Sequence, residues 1–67
     1  MNEGLKLRTL RKNVGLKQTQ LSQISGIPKA TICNIEKGRN KPSVETYEIL
    51  LDALGYKLVI WPKEWNT

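Results

Sequence analysis

The sequence predicts a mainly α fold: four short helices in one small domain, then a single C-terminal strand that pairs across a dimer. Three observations lead there. Apolar residues recur three and four apart in four separate runs, and each run closes on a glycine, at Gly15, Gly26, Gly38 and Gly55. Only Lys57-Leu58-Val59-Ile60-Trp61 has the β-branched and aromatic content of a strand, ending at Pro62. The chain has 67 residues, which suits one small core, and chains this short lean on a disulfide, a metal or a partner subunit. A lone Cys33 forms no internal disulfide and the absence of histidine makes a zinc cluster implausible, which leaves helix packing or oligomerisation.

The first helix is expected over residues 2–14, with Leu7, Leu10 and Val14 on one stripe and Asn2 or Asn13 near its ends. Leu16 then packs into the loop. The second runs over 18–25 with Leu21 and Ile24 on one face, and it stops at Ser25-Gly26, where glycine permits the left-handed turn. The third starts at Pro28, a residue favoured in a first helical turn, and runs over 28–37 with Ile27, Ile32 and Ile35 as core candidates. After the polar loop Arg39-Asn40-Lys41-Pro42, Ser43 is a good N-cap, with Thr46 where a capping box would place Glu. Val44, Tyr47, Leu50, Leu51 and Leu54 form the stripe of the fourth helix.

The terminal strand has no partner within its own chain, and an unpaired edge is a liability. Pairing with the same strand of a second copy about a two-fold axis removes it. Residues 1–55 are therefore expected to form the helical domain and 56–67 the dimerising strand and tail. Trp61 falls in the strand. Trp65 is left open between a partner contact and a disordered tail.

Two short helices joined by a tight turn, as at Gly15–Gly38, form a helix-turn-helix, the shape that enters a major groove. Charge agrees. Residues 1–41 carry nine of the eleven basic side chains against Glu3 and Glu36, a net +7, whereas 42–67 carry a net −2. The front suits a polyanion and the back other contacts. No cofactor is expected, and no apolar run approaches a membrane span. An enzyme is rejected: there is no histidine, no metal cluster and no phosphate-binding glycine loop. One unpaired cysteine and no leader-like segment fit a cytoplasmic, nucleoid-associated protein of bacteria.

Residues 5–55 resemble the Xre or lambda-repressor-like helix-turn-helix proteins. Leu-Arg stands in helix one, Gly-Leu-x-Gln before helix two, Thr-Ile in helix three, Ile-Glu-x-Gly after it and Pro-Ser-x-Glu-Thr at helix four, all in register without a gap. There are two departures. Lys17 stands where the family usually has a Thr or Ser cap, which removes that cap and sets a cation near a positive helix end unless it meets phosphate. Pro28 replaces the usual Ser before helix three.

The resemblance implies base contacts from Lys29, Ala30 and Asn34, and the chemistry fits: lysine donates to guanine, alanine meets the thymine methyl and asparagine pairs with adenine. It implies that Gln18 grips phosphate and braces the start of helix three. Thr31 is either a phosphate ligand or bonded back to its own preceding turn. Lys37, Arg39, Asn40 and Lys41 flank the end of helix three and should follow the DNA backbone. The family's Arg11–Glu36 pair ties helix one to helix three, and Cys33 is a small, buried or half-buried filler.

The continuation Leu-Gly-Tyr-Lys-Leu-Val-Ile-Trp at 54–61 is similar to the HipB-type antitoxins. That implies a homodimeric repressor on a palindromic operator, autoregulating a HipBA-like operon and holding a kinase toxin. A stand-alone repressor resembling phage or restriction-modification control proteins, or an antitoxin to an RNase toxin, is the alternative.

Overall fold

The computed structural model of the chain describes residues 3–57, and the order is α1 (Glu3–Val14), α2 (Gln18–Ser25), α3 (Lys29–Glu36) and α4 (Val44–Ala53). Leu7, Leu21, Ile32 and Leu50 are fully buried where the four helices meet, with Ile35, Tyr47, Leu51 and Leu54 completing the core. Leu10, Leu16, Ile27 and Ala53 pack around its edge. One stripe per helix thus supplies the core, as the three- and four-residue spacing required.

Three residues expected on those stripes lie at the surface. Ile24 is 58% exposed, Val44 60% and Val14 45%. In α2 the inward side runs through Gln18, Leu21, Ser22 and Ser25, and Ile24 falls off that stripe. Val14 and Val44 keep the stripe's angle but sit at the last and first helical residues, beyond the rim of the core. After the Gly15 turn it is Leu16 that packs there.

The helix ends show why the segments stop where they do. Ser43 Oγ accepts from the Thr46 amide at 3.1 Å and its hydroxyl donates to Thr46 Oγ1, so Thr46 serves the cap without a carboxylate. Pro28 is the N-cap of α3 rather than its first residue, with ψ 141°. Its carbonyl accepts the first helical bond, from Ile32 N–H at 3.1 Å. Gly26 at φ 77° turns the chain out of α2, its N–H bonded to Ser22 O, and Ser25 Oγ accepts from Ile27 N–H. The linker is thus Gly26, Ile27 and Pro28, short enough to hold α3 at a fixed angle to α2.

Gly4 was not anticipated as a structural residue, and it sets how closely α1 meets α3. It is buried within α1, and a Cβ there would land on the carbonyl oxygen of Ile35. Only a residue without a side chain lets the two backbones approach so closely.

Of the expected dimerising residues, Lys57 alone is described; it is exposed and not in a strand. Leu58, Val59, Ile60 and Trp61, and with them the strand and its pairing, lie outside the described residues, as do Asn2 and Trp65. No described helix is long and apolar enough to cross a membrane.

Candidate nucleic-acid interface

The outer arc of α3 is built by elimination. Ile32 and Ile35 are in the core and Glu36 turns towards α1, so Lys29, Ala30, Cys33, Asn34 and Lys37 are left on the other side of the helix. Lys29, Ala30 and Lys37 are exposed, while Asn34, Cys33 and Thr31 are half-buried. The Asn34 carbonyl accepts from the amides of Arg39, at 2.9 Å, and Asn40, at 3.3 Å, so the loop folds back over the helix end. That turn holds Arg39 and Asn40 at the end of α3, with Lys41 next in the loop, and all three are exposed. Lys17 is also exposed at the start of α2.

What fixes this arc in space is a polar joint behind it. Arg11 donates from Nε to Glu36 Oε2 at 2.7 Å and from Nη2 to Oε1 at 2.9 Å, the bidentate geometry of a strong pair. Its Nη1 donates to Leu16 O at 2.8 Å. Gln18 Nε2 donates to Glu36 Oε1 at 3.0 Å. A single carboxylate therefore ties α3 to α1, to α2 and, through Arg11, to the loop between them. The side chains of Arg11 and Glu36 are 9% and 3% exposed, so the pair is shielded from solvent.

Burial alone would push the Glu36 carboxyl up, but bonds from Arg11 and Gln18, with the charges of Arg11 and Arg8, hold it below its ordinary value. The Arg11 guanidinium is held above its ordinary value chiefly by the hydrogen bonds it donates to Glu36, against the cost of burial. Both groups stay charged at neutral pH.

Gln18 braces α3 as expected of it, but at the helix's end through Glu36, not at its start. Thr31 makes no bond back to the preceding turn; the hydroxyl in α1 that does so is Thr9, to Leu5 O at 3.0 Å. The loss of a cap at Lys17 is only half a loss. A lysine side chain has no acceptor for the α2 amides, yet Gln20 Oε1 accepts from Lys17 N–H at 2.8 Å, the return half of a capping box. The spacing from Lys17 to Gln20 carried that signal in the sequence. Cys33 is half-buried, as a small filler can be, and it lies on the outer arc beside Lys37.

Residues 7–61 match the model of the helix-turn-helix family. The chain belongs to that family. Its type is the Xre and lambda-repressor one that the motifs implied. Among curated proteins it is 43% identical over 56 residues to an uncharacterized HTH-type transcriptional regulator of Haemophilus influenzae, covering 84% of this chain and 57% of that protein. It is 31% identical over 58 residues to the immunity repressor protein of Bacillus phage phi105, covering 87% of this chain and 40% of the repressor. The chain thus spans about half the length of these relatives.

Within this helix-turn-helix domain, α4 presents a different surface. Glu48, Ile49, Asp52, Gly55, Tyr56 and Lys57 line a shallow groove, with Ile49 and Tyr56 more than a third exposed. Its two carboxylates repel phosphate, whereas α3 and its flanks carry only cations outward.

Proposed function

We propose that this chain is the DNA-binding part of a transcriptional regulator of the repressor kind, a binding module and not an enzyme. The observation that carries the reading is the outer arc of α3: Lys29, Ala30 and Asn34 are spared from the core, while Glu36 locks the same helix to α1 and α2. A recognition helix needs both. Its base-reading side chains must be free, and its angle must be set before the groove is met. Lys29 suits guanine, Ala30 a thymine methyl and Asn34 adenine, with Lys17, Gln18, Thr31, Lys37, Arg39, Asn40 and Lys41 on the phosphates. The names of the two relatives, a transcriptional regulator and an immunity repressor, support the same reading.

The regulator acts as a homodimer. The strand-forming sequence at 57–61 supports this, and two copies place their recognition helices about 34 Å apart on a palindromic operator. The resemblance of residues 54–61 to HipB-type antitoxins supports an autoregulating antitoxin that also holds a kinase toxin. The likeness to a phage immunity repressor favours the second reading, a stand-alone repressor with no toxin.

Selection of bound duplexes from a randomised pool tests the function. A defined consensus is expected, and Asn34→Ala should cost about 1–3 kcal/mol at one base position while leaving non-specific binding intact. A pool that never enriches overturns the reading. Co-purification of the chain with the product of a neighbouring kinase-like gene separates the antitoxin from the stand-alone repressor.

A further inference from the structure

Arg8 and Lys12 have no part in the interface described so far. They stand one turn apart on α1, both exposed, and line a shallow depression with Gln18, Cys33 and Lys37 over the Arg11–Glu36 pair. The only carboxylate of that depression is taken, since Glu36 accepts from Arg11 twice and from Gln18 once. Arg11–Glu36 is the one ion pair among the described residues, so Arg8, Lys12 and Lys37 have no carboxylate of their own. Nor does the end of α3 call for them. Its last carbonyls are met by its own backbone, Cys33 O by Lys37 N–H and Ile35 O by Gly38 N–H.

Two cations four apart on a helix, facing a third, repel one another unless an anion joins them. The depression also continues the outer arc of α3, because Cys33 and Lys37 belong to both. We propose that Arg8 and Lys12 hold a backbone phosphate of duplex DNA beyond those reached by the helix-turn-helix itself, so that α1 lengthens the footprint at its flank. The inference rests on the DNA-binding reading above. A guanidinium can grip such a phosphate through two parallel bonds, and Lys12 adds a point charge. Neither contact reads a base, so the flank adds affinity and salt dependence without adding sequence preference.

The test is the salt dependence of binding to a fluorescein-labelled, random-sequence duplex of about thirty base pairs, measured by anisotropy. Arg8→Gln and Lys12→Gln should each lower the slope of log K against log salt, and the double variant should lower it by about 0.9, the counterion released by one phosphate. Lys6→Gln removes the same charge from an exposed α1 position outside the depression and should leave the slope nearly unchanged. Arg8 also helps to keep Glu36 charged, so the result at Lys12, which has no such link, guards against an indirect effect. Arg8→Lys should restore the slope. If the wild type binds with a steep slope that all the Gln variants share, the α1 contact is wrong and the DNA reading stands. If the wild type shows no salt-dependent binding, both fall.

Discussion

The two ends of the core are held by different physics. Where α1 meets α3, the joint is polar and close: Gly4 lies against the Ile35 carbonyl, and Arg11, Glu36 and Gln18 form a bonded trio. Where α4 closes the domain, the contact is Tyr47, Leu50, Leu51 and Leu54 on apolar neighbours, and the one buried polar atom there, the Tyr47 hydroxyl, has no hydrogen-bond partner. Apolar burial is strong but not directional. Bidentate bonds fix an angle. The lesson is that α4 supplies stability, while the α1–α3 joint supplies the orientation on which reading a groove depends.

The largest break should come at the joint. Arg11→Met leaves the Glu36 carboxylate buried without its cation, and the loss should be about 3–5 kcal/mol of unfolding free energy in urea titrations. Gly4→Ala follows, at about 3 kcal/mol, because the added methyl must displace the Ile35 backbone; the propensity gain from alanine is only about 1 kcal/mol.

Acid sharpens the same contrast. The Glu36 carboxyl is held below its ordinary value, so its contribution is complete above the ordinary glutamate value of about 4.3 and drains away as pH falls through the folded value. The thermal midpoint should therefore hold steady from neutrality down to about pH 5 and then drop. In Glu36→Gln most of that drop should vanish, because the titrating group is gone. The smallest effect, with the opposite sign, is expected in α4. Tyr47→Phe removes a buried hydroxyl that bonds to nothing and should be neutral or stabilising by about 1 kcal/mol. A loss of several kcal/mol there would show that α4 too relies on a polar bond.

Most of the fold was legible because its signals are local. Four glycines, Ser43 and the apolar spacing placed every helix to within about one residue. Val14 and Val44 were misplaced at the ends of the stripes, where periodicity carries no information about where a neighbouring helix stops, and Ile24 because the inward side of α2 runs through Ser22 and Ser25 instead. Gly4 escaped notice because its role depends on the Ile35 backbone, which is distant in sequence. The Arg11–Glu36 pair was legible only through family resemblance; spacing alone does not join residues 25 apart. That Gln18 braces α3 was legible through the same resemblance, but its partner Glu36 was not, since that bond needs the angle between α2 and α3. In the sequence Arg8 and Lys12 counted only towards the basic front of residues 1–41, and the fold set them beside Lys37.

Amide chemical shifts followed while duplex DNA is titrated into the labelled protein put these surfaces in direct competition. The account predicts the largest changes at Gln18, Lys29, Ala30, Asn34 and Lys37–Lys41, with Glu48, Ile49, Asp52 and Tyr56 nearly still. Changes concentrated on that α4 groove, with the outer arc of α3 unmoved, would contradict it.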